Sequence, residues 1–396
     1  MAKTAVFIIH AKSLGGLEED TAQRVCRHLL SEAHTRTLSI FEVERGKTSK
    51  VRDILTYKDY DVFVFLNGTV FLTHEGIKTL SRIASKRKEL SVTVPVSNES
   101  LVSHQRFAPP FIYQTLSVFK WAAEEIYKKF KDEVMDVREA DDFCLVFKRG
   151  LLKSLPAALN LVDVPQIVKN KKFKFSVAKG VYAHRYGNCY ESSRDDLMGH
   201  VPPDAREILD IGAARGLFGE LLKKRQKCVV TGIEIDDEMM AVGRSRLDNV
   251  ISGDIEDVID KKILGTYDCI VCGDILEHLN NPWGVVKKLK DHLKKGGVFI
   301  ASTPNIMNWS LVFDLLEGRW DYVPFSTLSG THIRFFTKDT LKELFEDAGY
   351  KIKEVKLQSF EIPPQGDRFI TSLKNISPGI SGEELRASEI VIIAQK

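Results

Sequence analysis

Two rhythms of apolar and polar positions run along this chain. Short apolar runs bounded by turn residues read as buried strands. Runs with apolar side chains three and four positions apart read as helices. Residues 4–10 form the first strand, and residues 18–31 carry Thr21, Val25, Leu29 and Leu30 at helical spacing. Further strands are expected at 35–43, 61–66, 90–96 and 143–147, with helices at 75–83 and 112–130. A second, more regular alternation begins at residue 207. Its strands are expected at 207–211, 228–235, 249–251, 267–272, 297–302, 350–356 and 389–394. Its helices are expected at 216–225, 237–247, 282–294 and 338–348. Apolar strands separated by helices imply a mostly parallel sheet covered on both faces. No clear helix separates the last two strands, so an antiparallel edge strand is expected there.

Between the alternations lies a stretch with Lys169, Lys171, Lys172 and Lys174, which reads as a solvated connector with some helix. The expected division is an α/β domain over 1–155, a connector over 156–188 and a second α/β domain over 189–396. A chain of 396 residues suits two domains. With 57 basic and 54 acidic side chains, charge gives no case for nucleic acid as a partner. The first apolar run ends at His10, far short of the ~20 residues that span a bilayer. It lacks the small-residue cleavage site of a signal peptide. No membrane span and a cytoplasmic location are the expectation. Cys269 and Cys272 look like a metal or redox pair, but they sit in a strand, where positions three apart face opposite ways. Buried thiols are expected instead.

Chemistry concentrates at strand ends. The run Ile208-Leu209-Asp210-Ile211-Gly212-Ala213-Ala214-Arg215-Gly216 is a buried strand that ends in an acid, turns on a glycine and enters a helix at another. Gly212 can adopt backbone angles closed to other residues and lets a ligand approach the main chain. Ligands of such sheets sit beyond the carboxyl ends of the strands. The next strand ends in Glu234-Ile235-Asp236. Glu234 lies about twenty residues past Gly212, where an acid can accept hydrogen bonds from a ribose diol. Asp236 reads as a helix cap. Asp254 and Ile255 follow the third strand; they suit either an adenine site or a helix cap. Gly273-Asp274-Ile275-Leu276-Glu277-His278-Leu279 follows the fourth, leading into the helix start at Asn281-Pro282.

The order of these motifs resembles the class I S-adenosylmethionine-dependent methyltransferases, which are Rossmann-like. The resemblance covers residues 190–396 and extends to Ser302-Thr303-Pro304-Asn305 and to His332-Ile333-Arg334-Phe335-Phe336-Thr337. It implies S-adenosylmethionine as cofactor. Asp210, Gly212 and Gly216 would line its methionine part, and Glu234 with Ile235 would hold the ribose end. Asp254 and Ile255 would frame the adenine, with Asp274 and Ile275 near the transferred methyl. Tyr190 and Arg194 would close over it, Arg194 pairing with the methionine carboxylate. His278 and His332 are the candidate catalytic bases. Some relatives bind a divalent metal through an acid–Glu–His cluster, which Asp274, Glu277 and His278 match. The departure from the family is Ala213-Ala214-Arg215, where a glycine-rich turn is usual.

The first half resembles family 2 glycosyltransferases of the GT-A type. In active relatives an Asp-x-Asp after the strand at 62–66 holds a metal against the sugar-nucleotide diphosphate. Asn67-Gly68-Thr69 stands there instead, which implies a degenerate domain used for binding or assembly. Together the two resemblances imply methyl transfer to a small polar acceptor, a carbohydrate or glycan precursor. Two other functions compete. A nicotinamide-linked oxidoreductase explains Gly212 and Glu234 but not Asp274 through His278. A non-catalytic module would bind S-adenosylmethionine or a glycan without turnover.

Overall fold

The computed structural model describes residues 3–9, 24–26, 28–30, 38–43, 49–67, 69–100, 102–171, 173–185, 192–263, 265–324 and 326–396. The chain forms two units. One comprises residues 1–187 with 321–330, and the other 188–320 with 331–396.

The first unit is built on a mixed sheet. Its strands are β1 (Thr4–Ile9), β2 (Leu38–Val43), β3 (Val62–Asn67), β4 (Val70–Leu72), β5 (Ser91–Ser97), β6 (Val134–Val137), β7 (Cys144–Lys148) and β8 (Lys174–Arg185). Their order is β2-β1-β3-β7-β5-β8-β4, with β6 also paired to β8. Strand β7 runs antiparallel between β3 and β5. Residues of β1, β3 and β5 are mostly apolar and almost all buried because helices such as His74–Lys86 and Leu116–Phe130 cover the sheet. The expected helix at 18–31 is described only at 24–26 and 28–30, which are helical. The added segment 321–330 is tied in by the Thr327 hydroxyl, which donates to Gln114 Oε1 at 2.9 Å.

The basic stretch is not a connector. It leads into β8, the longest strand of this unit, which buries Phe175, Val177, Ala178, Val181, Tyr182 and Ala183. The lysines flank or punctuate the strand, and they mask an apolar pattern that pairs β8 with β5, β4 and β6.

The second unit holds β9 (Glu207–Ile211), β10 (Val229–Glu234), β11 (Asn249–Ser252), β12 (Tyr267–Gly273), β13 (Leu293–Pro304), β14 (Lys351–Ser359) and β15 (Ala387–Gln395). Their order is β11-β10-β9-β12-β13-β15-β14. The first five are parallel. The antiparallel strand is β15, which lies between β13 and β14, so the edge strand β14 runs with the parallel set. A helix, Pro364–Ile376, does separate the last two strands. Its interior glycine, Gly366, obscured it in the sequence, yet that glycine lets the helix approach Trp309: a Cβ there would stand 2.9 Å from the indole.

Both faces of this sheet are covered. Cys272 belongs to one core, with Leu209, Ile233 and Phe299, and Cys269 to the other, with Ile208, Val230 and Val271. The two thiols thus lie on opposite faces, and burial raises both pKa values. Among the described residues no helix is long and apolar enough to cross a membrane.

Candidate functional site

Four strand ends of the second unit converge on one edge of its sheet. Register explains why: β9 pairs with β10 and β12, and β12 with β13, all in parallel, so their carboxyl ends share that edge. Strand β15 begins at the same edge, because Glu389 pairs with Pro304 at the end of β13.

Asp210 stands in β9, between β10 and β12, 5% exposed. Its Oδ2 has no hydrogen-bond partner among the described residues. Burial, reinforced by the nearby Glu234 and opposed by Arg194, pushes its pKa up to about 7. The chain turns immediately afterwards at Gly212, whose φ is +75°. A Cβ there would lie 2.1 Å from the Ile275 Cδ1, so only glycine lets the turn close against the β12 loop. The two residues after Gly212 fill the family's glycine-rich positions, and Ala214 takes a left-handed φ of 47°.

That strained turn is held by Glu234. Its Oε2 accepts from the Ala214 N–H at 2.9 Å and its Oε1 from the Asp236 N–H at 3.0 Å. A carboxylate offers about four lone-pair sites. Each Glu234 oxygen therefore keeps one for a ligand hydroxyl. Ile235 beside it is 66% exposed, an apolar face at the edge of the site. Asp236 caps the following helix through the Glu238 and Met239 N–H groups, as its position suggested. Asp254 caps a helix as well, accepting from the Glu256 N–H at 2.9 Å, and Ile255 is buried in the core behind it.

The β12 end is occupied by an ion network. Asp274 has a φ of 54°. Its Oδ1 accepts from the Ser302 hydroxyl at 2.8 Å and its Oδ2 from Arg194 Nη1 at 2.5 Å. Arg194 also donates to Asp196 Oδ2 at 2.8 Å, Ser302 Oγ at 2.8 Å and Glu389 Oε1 at 2.7 Å. The guanidinium expected to meet the methionine carboxylate is thus surrounded by three carboxylates of its own chain. Burial alone would lower its pKa, but Asp274, Asp196 and Glu389 together raise it, so Arg194 stays charged. Tyr190 lies outside the described residues. Neither Ser302's link to Arg194 nor Glu389 was foreseen. Glu389 stood in the sequence only as the first residue of a strand, and nothing local marked it.

Beside this network the Leu276–His278 turn presents Glu277, 1% exposed, with no partner on either carboxylate oxygen among the described residues. Burial, strengthened by Asp274, holds its pKa well above the usual carboxylate range. The Glu277 carbonyl accepts from the Ile333 N–H at 2.9 Å and the Arg334 N–H at 3.0 Å. Those bonds bring a segment far away in sequence to the turn. His332 consequently meets His278 edge to face, ring centres 4.7 Å apart. The two candidate bases form a pair. His278 is exposed on its outer side; desolvation of its inner side lowers its pKa, partly offset by the Thr331 carbonyl.

Residues 182–355 match the sequence model of a family described as a methyltransferase domain. The second unit carries a methyltransferase domain. Its relatives include the ubiquinone biosynthesis O-methyltransferase of Acinetobacter baumannii (strain AYE), 27% identical over 158 residues, 38% of this chain and 65% of the relative. The enzyme of the same name from Rickettsia canadensis (strain McKiel) is 27% identical over 158 residues, 38% and 64%. This chain therefore spans somewhat less than two thirds of the length of these curated relatives. A solved S-adenosylmethionine-dependent methyltransferase from Archaeoglobus fulgidus is 20% identical, covering 53% of this chain and 97% of its own, with a TM-score of 0.39.

The cofactor that the sequence motifs imply is S-adenosylmethionine. The strand-end residues suit it. The lone Asp210 oxygen fits a cationic group, and the two open lone pairs of Glu234 fit a diol. The divalent metal that the family resemblance implied is a separate matter. The acid–Glu–His pattern is not assembled as written, since Asp274 faces Arg194 and Ser302. Glu277, His278 and His332 instead offer one ligand atom each, all within 4.8 Å of one another.

Proposed function

We propose that the chain transfers the methyl group of S-adenosylmethionine to a hydroxyl oxygen of a small polar acceptor. The observation that carries this is the convergence, on one sheet edge, of Asp210, Glu234 and the Glu277–His278–His332 group. In this reading Asp210, Gly212 and Gly216 line the methionine part, and Glu234 and Ile235 the ribose and adenine end. Asp254 contributes through the turn it caps, and Ile255 through the packing behind it. Asp274 and Ile275 stand near the methyl. Arg194 holds Asp274 and Glu389 in place.

The sulfonium already makes the methyl electrophilic. The acceptor oxygen attacks it in line: an O–C bond forms, the C–S bond breaks, and S-adenosylhomocysteine leaves as a neutral thioether. The protein must align the oxygen, exclude water and take up the hydroxyl proton. The paired imidazoles of His278 and His332 are the groups at hand for that proton. Relatives named as O-methyltransferases support oxygen as the acceptor atom.

The acceptor class we favour is a carbohydrate or glycan precursor, which rests on the character of the first unit. We read that unit as a GT-A-like scaffold that binds rather than turns over a sugar nucleotide. At the end of β3 the Asn67 carboxamide is folded onto its own chain, where its Oδ1 accepts from the Thr69 N–H and hydroxyl, both at 3.1 Å. A neutral amide committed in this way makes a poor metal ligand. Metal-dependent turnover of a sugar nucleotide by the full chain would overturn this part.

The test is release of S-adenosylhomocysteine by the full chain over a panel of glycan fragments and catechols. Turnover on a glycan fragment is expected. Turnover only on catechols would retain the O-methyltransferase and remove the carbohydrate. Cofactor binding with no turnover on any member would favour a non-catalytic module.

A further inference from the structure

We propose that Glu277, His278 and His332 form a binding site for a divalent transition metal, with Asp274 excluded from it. The three side chains come from two distant segments, pinned together by the Ile333 and Arg334 N–H groups on the Glu277 carbonyl. Their ligand atoms lie within 4.8 Å of one another, which a single ion can bridge. Glu277 supplies the independent observation. A carboxylate with neither oxygen hydrogen-bonded among the described residues, in a side chain 1% exposed, is a costly thing to bury without a cation to meet it.

The orientation of His278 agrees. Its Nδ1 lies 3.2 Å from the Thr331 carbonyl oxygen. A carbonyl only accepts, so Nδ1 carries the proton and Nε2 keeps its lone pair. Metal-binding histidines are commonly fixed in this way, by donating their other N–H to a carbonyl or carboxylate. His278 is exposed on its outer side, which leaves coordination positions open to water or to an acceptor oxygen. Asp274 is unsuited because its Oδ2 is paired with the Arg194 guanidinium, whose positive charge a metal held there would face.

The donor set also selects the metal. Two imidazoles and one carboxylate suit zinc, iron, cobalt, nickel or manganese. Magnesium and calcium take oxygen ligands almost alone. Only the placing of an acceptor oxygen on the metal rests on the proposed function; metal binding itself does not. Titration with S-adenosylmethionine tests that function separately.

The experiment is a Co2+ titration of the chelator-treated full chain, followed by visible absorption. One Co2+ per chain with ligand-field bands is expected, displaced by Zn2+ and not by excess Mg2+. E277Q and H332Q are each expected to weaken Co2+ binding by about 100-fold or more, beyond the loss seen when only an outer partner is removed. D274N is expected to stay within about threefold of the parent, with all variants checked by their melting midpoints. Should H332Q melt early, His332→Glu returns a ligand atom and is expected to bind Co2+. No Co2+ bound by the parent would overturn the proposal. So would unchanged binding in H332Q, a folded H332E that binds none, or a D274N loss equal to that of E277Q.

Discussion

The two units solve one architectural problem in opposite ways. The first carries a mixed sheet and the second a largely parallel one, and in both polar residues gather where strands end. In the first unit those residues are spent on one another. Asn67 holds Thr69, Asn98 brackets the Arg185 backbone with bonds of 3.0 and 2.7 Å, and Ser100 and Gln105 hold Asp141 at 2.6 and 2.8 Å. In the second unit Asp210 and Glu277 are buried carboxyl groups with oxygens that find no hydrogen-bond partner among the described residues. Unpaired atoms occur in the first unit too, such as Thr93 Oγ1 and Gln105 Nε2, but those are neutral groups. A buried neutral orphan costs little beside a buried carboxylate. The difference sets the strand ends of the second unit chemically apart from those of the first. Histidines follow the same division. His184 is sealed in the first unit against Phe71 and bonded to Tyr113, and burial lowers its pKa to about 3.

The contrast breaks most visibly at Gly212. Gly212→Val forces a branched side chain onto Ile275 at a left-handed position. It is expected to destabilise the second unit by about 2–4 kcal/mol, read from urea unfolding, and to abolish measurable cofactor binding.

Asp210→Asn separates stability from function. A raised folded pKa means that the native state holds the proton more tightly than the unfolded chain. Stability from this group is therefore full below the unfolded value near 3.8 and is lost as pH rises toward 7. D210N is expected to melt higher than the parent at pH 8 and to lose that slope, while binding cofactor about 10-fold more weakly. In the parent, a cationic ligand at Asp210 should expel its proton, so affinity should climb by up to about tenfold per pH unit below 7 and level off above. A parent affinity flat between pH 5 and 7 would remove Asp210 from the cofactor site.

His184 sharpens the comparison from the other side. Its folded pKa is depressed, so its contribution is present above the unfolded value of 6.5 and is lost as pH falls toward 3. His184→Gln should flatten part of the acid limb of the melting curve and leave cofactor affinity unchanged. The smallest effect is expected from Asn67→Ala, about 1 kcal/mol of stability from its lost hydrogen bonds and no change in cofactor affinity. Weakened cofactor binding in that variant would mean that the first unit's strand ends are not merely self-satisfied.

The site was legible where one strand end carries one motif. Asp210, Gly212, Glu234 and Asp274 lie at the predicted strand ends because apolar runs and their terminating acids are local signals. The pairings were not legible. The His278–His332 contact depends on two backbone bonds between segments far apart in sequence, from the Ile333 and Arg334 N–H groups to the Glu277 carbonyl. Glu389 reaches Arg194 only because β15 inserts beside β13. The same limit explains the fold errors. Strand β8 hid among lysines, and the helix Pro364–Ile376 hid behind a glycine whose purpose, room for Trp309, exists only in the folded chain.

The most direct measurement is calorimetric titration of the full chain with S-adenosylmethionine and with NAD, repeated on Glu234→Ala. One S-adenosylmethionine per chain is expected, with no NAD bound and affinity in the variant lower by about 10- to 100-fold, as befits lost hydrogen bonds to a charged acceptor. NAD taken in preference, or S-adenosylmethionine bound equally well with and without the Glu234 carboxylate, would contradict the assignment of this sheet edge.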